Sequence, residues 1–301
     1  PDPTLPEPPA AISGQPYSFA LGMTHMWPAG TLSMIDGVLP PGITLSPSGL
    51  LWGTSTAPGR YPFTLQVANG VGPTGYLSPI LEVSGPPYFT SASSATFTVG
   101  SSGSFTMVGW GPPRPTLSLY GALPPGVRFE AFLGAGSLSG TPQAGSGGVY
   151  PLVLVGRNGV SPDAVQSFTL HVNEPPAFTS GDSATFGLNA GNTFTVVAKG
   201  PPRPTLSLSG ALPDGVTFDA ATGILSGTPT GGGGSYPLTF TASNGVGGGV
   251  TQAFTLHTAA WAPVAPLPDE RLNLAATTGL DGTIYAIAGG NLGITPQSTV
   301  F

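Results

Sequence analysis

Cysteine is absent from the 301-residue sequence, and charged residues make up only 7% of it. A chain without cysteine has no disulfide, no thiolate nucleophile and no cysteine-ligated metal. The net charge is −6, the single lysine is Lys199, and the arginines are scattered, so the sequence contains no basic patch for phosphate. We therefore expect no nucleic-acid partner, whereas the missing cysteines leave the cellular compartment open.

Long apolar runs are also missing. No stretch approaches 18 consecutive apolar residues, so we predict no membrane-spanning segment in this sequence. A surface with so little charge must be covered by Ser, Thr, Gly and Pro. Weak charge repulsion between molecules favours a chain that works in an assembly or on a surface.

Glycine and proline are abundant, with 47 and 36 copies, and hydrophobic residues still make up 40% of the chain. Such a Gly and Pro content is typical of disorder when apolar residues are scarce. Here many short runs rich in Val, Leu, Phe and Thr lie between the Gly and Pro positions. This pattern predicts an all-β protein.

A repeat dominates the sequence. Residues 111–127 and 200–216 are nearly identical, and the register shift between them is 89. A more distant third copy comes first, with Leu39-Pro40-Pro41-Gly42-Ile43 as its counterpart of the shared segment. The chain is therefore expected to contain three copies of one module of about 85 residues.

The repeat sets the expected domain boundaries. Linkers with Pro pairs, Gly85-Pro86-Pro87 and Glu174-Pro175-Pro176, precede the second and third copies, and the fixed φ of proline predicts semi-rigid joints. The expected units are a Pro-rich, extended segment at 1–11, modules at 12–84, 85–173 and 174–258, and a different segment at 259–301.

Alternation and turn residues predict seven strands in the third module, which is the number expected of a β-sandwich. These strands are Ala184 to Leu188, Thr193 to Ala198, Thr205 to Ser209, Val216 to Asp219, Ile224 to Ser226, Tyr236 to Ser243, and Gln252 to His257. Asn-Gly pairs recur at the end of the strongest strand of each copy. We expect these pairs, at 69–70, 158–159 and 244–245, to close or begin the last hairpin as type I′ turns.

The third module resembles the immunoglobulin-like modules that occur in tandem on bacterial surface and secreted proteins. The residues that carry the resemblance are Leu212-Pro213-Asp214-Gly215-Val216, Thr222 to Pro229, Gly234 to Leu238, and Ala242-Ser243-Asn244-Gly245. The match is clear in the second module, apart from a two-residue insertion at 132–136, and looser in the first. The resemblance implies three tandem β-sandwiches, an extracellular setting and a structural, spacing or adhesive role, with no catalytic residue.

The last segment is similar to the start of a kelch β-propeller repeat. It carries an Asp281-Gly282 hairpin signal, an apolar strand, a Gly289-Gly290 pair and Arg271 upstream. The segment 261–301 is shorter than one kelch blade, which takes roughly 50 residues. Either further blades follow Phe301, or the strand at 283–288 pairs with another sheet, because an isolated hairpin is marginal in water.

Reactive groups are sparse, and their positions suit structural roles. The acid pairs Asp214 with Asp219 and Asp269 with Glu270 fall in turns, where Asp bonds to backbone amides. A calcium site at the joints would need clustered acids, and only Glu174 lies at a joint. The histidines His25, His171 and His257 are too dispersed to share a metal. We therefore expect no catalytic site, no metal and no cofactor.

Two tryptophans are the candidate contact residues. Trp52 aligns with Ser139 and Ser226 of the other copies, and Trp110 aligns with Lys199, so both side chains are expected to point outward. An exposed tryptophan suits a protein interface or a stacked sugar. Packing on a neighbouring module is the alternative. Arg114 and Arg203, in matching Pro-Pro-Arg-Pro segments, are interpreted as residues of a solvated polyproline bend.

The sequence thus favours a secreted or cell-surface structural protein, a rod of immunoglobulin-like modules that spaces or attaches an assembly or packs into a filament. Its expected partners are other copies of itself or other surface proteins, with glycans as a further class. The alternative is an accessory region of a secreted kelch-propeller enzyme or of a glycan-binding protein.

Overall fold

The computed structural model describes residues 6–22 and 30–259, together with the backbone of two later strands at 275–278 and 284–287. Every regular element in these residues is a β-strand. The strands between residues 11 and 259 form three successive sandwiches, each around its own apolar core. The predicted all-β class with three tandem sandwiches is confirmed.

The first sandwich packs two sheets face to face. One sheet has the order β1-β8-β6-β3 with β7 added on β6, and the other has the order β2-β5-β4. The strands are β1 Ala11–Ile12, β2 Pro16–Ala20, β3 Thr31–Gly37, β4 Ile43–Leu45, β5 Leu50–Thr54, β6 Gly59–Ala68, β7 Gly75–Leu77 and β8 Ile80–Ser84. Strand β3 lies at the edge of its sheet and carries a bulge between Met34 and Asp36.

The second sandwich has the sheets β10-β16-β15-β12 and β13-β14-β11-β9. Its first long strand, β10, runs parallel to its last strand, β16, as β1 does with β8. The strands are β9 Tyr88–Phe89, β10 Ser94–Thr98, β11 Gly103–Trp110, β12 Thr116–Tyr120, β13 Val127–Phe132, β14 Ala135–Gly140, β15 Gly148–Arg157 and β16 Ala164–Asn173.

The third sandwich repeats this arrangement with the sheets β18-β25-β24-β21 and β19-β23-β22, while β17 pairs with β20. The strands are β17 Ala177–Phe178, β18 Ser183–Gly187, β19 Asn192–Thr195, β20 Ala198–Lys199, β21 Thr205–Ser209, β22 Val216–Asp219, β23 Ile224–Gly227, β24 Gly234–Ser243 and β25 Val250–Ala259. The parallel pairing of first and last long strands recurs between β18 and β25.

Alternation along the strands builds each core. In β24, Leu238, Phe240 and Ala242 are buried, and the intervening residues are more exposed. Phe240 meets Phe254 of β25 edge to face, with ring centroids 5.2 Å apart. Burying such rings removes 150–250 Å² of surface each, at about 25 cal/mol per Å², so the core needs no disulfide.

The Asn-Gly pairs differ from the prediction. Each pair does follow a long strand and begins the connection to the next one. The glycines Gly70, Gly159 and Gly245 have positive φ, but the asparagines before them do not, so these are not type I′ turns. Each asparagine Oδ1 instead accepts a hydrogen bond from the backbone N–H two residues later, at 3.1 Å. The resulting Asx turn frees the amide nitrogen for other partners.

The structure describes only part of each end of the chain. Residues 1–5 of the predicted Pro-rich segment lie outside the described residues, and residues 6–10 precede β1 without regular structure. The predicted kelch-like segment also lies outside them, except for β26 Ala275–Thr278 and β27 Ile284–Ile287, which pair antiparallel. The kelch assignment stays a prediction.

Candidate functional site

Both candidate tryptophans project from outer sheet faces. Trp52 lies on β5 between Ser18 and Thr44 of the neighbouring strands, and 52% of it is exposed, whereas Leu51 beside it is fully buried. Trp110 ends β11 opposite Tyr88 of β9, and 46% of it is exposed. The outward orientation inferred from the repeat is confirmed. Their predicted role as contact residues stays a prediction.

Trp110 belongs to a larger apolar surface on the second sandwich. Phe132 and Val108 both pair with Ala135 of β14 and so lie in one row across three strands. Leu133 occupies the adjoining hairpin tip, which approaches β11 where the Gly109 N–H donates to the Gly134 carbonyl at 3.0 Å. We call the exposed residues Tyr88, Val108, Trp110, Phe132 and Leu133 the aromatic face.

One arginine lies over this face. The Arg114 guanidinium carbon is 5.7 Å from the centre of the Trp110 ring, within the range of a cation–π contact. Arg203, at the matching position of the third sandwich, donates to the Ala221 carbonyl at 3.4 Å. Arg114 is therefore more than part of a solvated polyproline bend, because it is placed on an exposed aromatic ring.

The third sandwich shows that the fold does not require this surface. Lys199 pairs with Ala177 in the register in which Trp110 pairs with Tyr88. The same replacement occurs on the opposite sheet, where Tyr120 pairs with Val153 and the third sandwich pairs Ser209 with Thr239. These outer positions are thus aromatic or apolar in the second sandwich and small or polar in the third, so the fold does not require an apolar residue at them.

A second group of polar residues lies at the joints between sandwiches. At the first joint the Gly85 N–H donates to the Pro112 carbonyl at 2.8 Å, and the Asn158 amide donates to the carbonyls of Gly85 at 2.8 Å and Pro113 at 2.9 Å. These bonds attach the linker to the second sandwich, which follows it.

The second joint repeats this arrangement. The Glu174 N–H donates to the Pro201 carbonyl at 2.7 Å, and the Asn244 amide donates to the Glu174 carbonyl at 2.7 Å. The same amide also lies 3.2 Å from the Gly200 carbonyl and 3.0 Å from the Pro202 carbonyl. Asn158 and Asn244 therefore act as equivalent latches on the two linkers.

Glu174 adds a bond to the preceding sandwich. Its Oε1 accepts from the Gly145 N–H at 2.6 Å and its Oε2 from the Gly147 N–H at 3.0 Å. Since its backbone is bonded to the third sandwich, this residue connects both sides of the joint. A Cβ on Gly147 would lie 2.6 Å from Glu174 Cβ and 2.7 Å from Pro201 Cδ, so only glycine fits there.

At the first joint the glycine lies in the linker, and the larger residue lies in the loop of the preceding sandwich. Gly85 occupies the linker position of Glu174, and Pro58 occupies the loop position of Gly147, counted back from Tyr61 and Tyr150. A Cβ on Gly85 would lie 2.7 Å from Pro58 Cβ. At the first joint the Pro58 ring packs against Gly85, whereas at the second the Glu174 carboxylate bonds to the amides of Gly145 and Gly147. The contact with the preceding sandwich is therefore made by packing at the first joint and by charge-assisted hydrogen bonds at the second.

Sequence reasoning located the linkers that begin at Gly85 and Glu174 but missed the contacts that hold them. The Asn-Gly pairs were interpreted as local turns, and Glu174 as a linker residue and the only acid at a joint. A usable signal was present, because Asn158 and Asn244 recur at the position that follows the longest strand, each with a Pro-Pro linker upstream.

The other candidate polar residues make local contacts. Asp219 accepts from the Thr222 hydroxyl at 2.7 Å and the Ala221 N–H at 2.9 Å, and these bonds hold the pKa of its carboxyl below the ordinary value. His257 Nδ1 lies 3.0 Å from the Ser235 hydroxyl. His25, Asp269 and Glu270 lie outside the described residues. Across residues 6–22 and 30–259, no three acidic or histidine side chains cluster as a metal site.

Three exposed ion pairs join side chains within the described part of the chain. They join Arg60 to Glu82 at 3.3 Å, Arg128 to Glu130 at 2.8 Å and Arg157 to Asp163 at 2.7 Å. The hydrogen bond that Arg157 donates to Asp163 raises the pKa of Arg157 above its ordinary value. No helix in the described part of the chain is long and apolar enough to cross a membrane.

Solved structures with tandem immunoglobulin domains are similar to this chain. A three-domain titin fragment, I67–I69 in a Glu-to-Ala variant, is 17% identical, with 86% of this chain and 98% of the fragment covered at a TM-score of 0.50. The complex of Dpr2 Ig1–Ig2 with DIP-Theta Ig1–Ig3 is 13% identical, with 85% and 97% covered at a TM-score of 0.51. Identities this low show a shared fold only.

An endo-fucoidan hydrolase of glycoside hydrolase family 107 is 19% identical over 85% of this chain and 43% of the enzyme, with a TM-score of 0.33, which supports no inference. A search of the curated proteins gives no significant match. A protein-family model described as "Putative Ig domain" matches residues 3–84 and 174–259, more than half of the sequence. With its three tandem sandwiches, the chain belongs to this immunoglobulin-like domain family.

Proposed function

We propose that this chain is a non-enzymatic structural and adhesive protein in which three immunoglobulin-like sandwiches are held in series at fixed spacing. The observation that carries the proposal is the repeated joint, in which Asn158 and Asn244 fasten equivalent linkers. A chain that only tethered its domains would not need the same half-buried asparagine contacts at each linker. Fixed joints give a module array a defined length and direction.

The polar residues of the joints and turns support a structural role. Asn158 and Asn244, which recur at equivalent positions, bond to linker carbonyls, and Asp219 of the third sandwich bonds to a turn. None of these contacts brings together a nucleophile and a base. Repetition has thus multiplied the supporting contacts of the fold rather than a reactive group.

The proposed setting is secreted or at a cell surface, and the proposed partners are copies of this chain or other surface proteins. One similar structure is a complex between immunoglobulin domains of Dpr2 and DIP-Theta, which supports a partner of this kind. Trp52 and Trp110 are the proposed contact residues, because both expose about half of their surface. Stacking of a glycan on either ring is the alternative contact.

A second candidate is an accessory region of a secreted kelch-propeller protein. The antiparallel pairing of 275–278 with 284–287 favours it, because adjacent strands of a propeller blade pair in this way. Reading the gene beyond the codon for Phe301 tests it. Several further blades would support this candidate, and a sequence without kelch repeats would exclude it.

Residual dipolar couplings on the full chain test the fixed spacing. If the second joint is rigid, the second and third sandwiches share one alignment tensor. We expect Glu174→Ala to make the two tensors diverge, because it removes the bonds to Gly145 and Gly147. Glu130→Ala is the matched control, since Glu130 pairs with Arg128 on the outer face of one sandwich. Different tensors in the wild type would contradict the proposal.

A further inference from the structure

The aromatic face is large enough to be a binding surface. Its three aromatic side chains are each about half exposed, so they present about 300 Å² of surface. An apolar patch of about 300–600 Å² is the largest that a typical monomer exposes, and such a patch is often functional. The third sandwich carries Ala177 and Lys199 at the positions of Tyr88 and Trp110, so the same fold forms without these two aromatic residues.

The composition of this face favours a protein over a glycan. Tyrosine, tryptophan and arginine are the residues that dominate binding energy at protein interfaces. The row beside Trp110 consists of Val108, Ala135 and Phe132, which offer no side-chain hydrogen bond. Sugar hydroxyls placed on that row would lose water without gaining partners, at a cost in free energy.

Arg114 specifies the charge of the partner. Arg60, Arg128 and Arg157 each pair with a carboxylate. Arg114 has no such pair among the described residues, and its guanidinium lies on the Trp110 ring instead. An apolar surface with one unpaired cation fits an apolar surface that carries one carboxylate.

The first sandwich presents such a surface on the edge strand β3. Met34, Ile35 and Val38 are 43%, 50% and 63% exposed, and Asp36 lies exposed among them. The bulge between Met34 and Asp36 inserts one residue relative to β12 and β21. The third sandwich has Ser209 where the first has Asp36, so the acidic apolar edge, like the aromatic face, is not required by the fold.

We propose that the aromatic face of one copy of this chain binds the β3 edge of a second copy, with Arg114 pairing with Asp36. The proposal deepens the proposed structural function by naming a partner and a site. The two surfaces differ and lie on different sandwiches, so the contact is heterologous. Repetition of a heterologous contact that does not close into a ring builds a filament.

Sedimentation velocity of the full chain over a range of concentrations tests this contact. We expect concentration-dependent association, weakened at least about 30-fold by Trp110→Lys, because a central tryptophan of an interface contributes 2 kcal/mol or more. The variant installs the residue that Lys199 provides in the third sandwich, so the fold should tolerate it. Tyr120→Ser is the matched control, because it removes an equally exposed aromatic residue from the opposite sheet of the same sandwich and installs the residue that Ser209 provides in the third sandwich. It should leave association unchanged.

A charge exchange tests the pairing itself. Asp36→Arg and Arg114→Asp should each weaken association at least about tenfold, and the double variant should restore it to within about threefold of the wild type. If the double variant associates as weakly as the single variants do, the Arg114–Asp36 pair is refuted. Amide spectra of each variant confirm folding.

Several results would overturn the proposal. They are a wild-type monomer at millimolar concentration, equal loss of association in Tyr120→Ser and Trp110→Lys, and Trp110-dependent binding on a glycan array without self-association. Shared alignment tensors across the joints together with a persistent monomer would reject this contact while leaving the proposed spacing function intact.

Discussion

Replacing Asn244 with alanine should loosen the second joint. The Asn244 side chain donates through two N–H groups to the carbonyls of Glu174, Gly200 and Pro202, and its Oδ1 accepts from the Val246 N–H. The substitution therefore removes about three hydrogen bonds. At about 1 kcal/mol each, the linker loses about 3 kcal/mol of local stability.

Native-state amide exchange in the full chain measures this loss at the Glu174 amide, which donates to the Pro201 carbonyl. Because each 1.4 kcal/mol is a factor of ten, exchange at this amide should accelerate about 100-fold in Asn244→Ala. Asn158→Ala should do the same to the Gly85 amide, which donates to the Pro112 carbonyl.

The control is Asn69→Ala, because Asn69 makes the same Asx turn to the Val71 N–H in the first sandwich. This variant should leave the Glu174 amide within about twofold of the wild type, since the removed bond is distant from the second joint. An unchanged exchange rate of the Glu174 amide in Asn244→Ala would refute the latch. Equal acceleration of this exchange in Asn244→Ala and Asn69→Ala would show a general loss of stability instead.

Two further predictions concern the first and third sandwiches. Burial raises the pKa of Tyr17 to about 12, so its contribution to folding is complete below the ordinary value of about 10 and is lost as pH rises toward 12. Absorbance titration against Tyr17→Phe should show one late-ionising phenol, and a normal pKa would contradict the placement. Gly215→Ala should destabilise the third sandwich by more than about 2 kcal/mol in denaturant, because Gly215 has a φ of 83° and its Cβ would collide with the Thr228 carbonyl. Gly231→Ala, which meets no neighbour within 4 Å, should be nearly neutral, and equal losses would refute this reasoning.

Local pattern predicted the strands well. Thr205–Ser209 and Val216–Asp219 have the bounds that alternation assigned to them. Comparison of the copies also predicted the exposure of Trp52 and Trp110, since a position that tolerates Ser or Lys in one copy faces solvent. The two-residue strand at Ala177–Phe178 was missed, because two residues show no alternation.

The contacts that hold the joints could not be predicted, because they link residues that are distant in sequence. Asn244 reaches Glu174 across 70 residues, and an Asn-Gly pair read locally predicts only a turn. Glu174 bonds amides in the preceding sandwich, and no periodicity records that proximity. No local pattern relates Asp36 to Arg114 either, because the two residues lie in different sandwiches.

The fixed spacing of the sandwiches is tested most directly by distances between spin labels. The chain has no cysteine, so the exposed Thr44, Thr106 and Thr217 can each be replaced by Cys for selective labelling, one in each sandwich. Pulsed electron paramagnetic resonance on the pairs 44–106 and 106–217 measures distance distributions across the two joints. The account predicts one narrow distribution for each pair, and a broad or multiple distribution at both joints would contradict it.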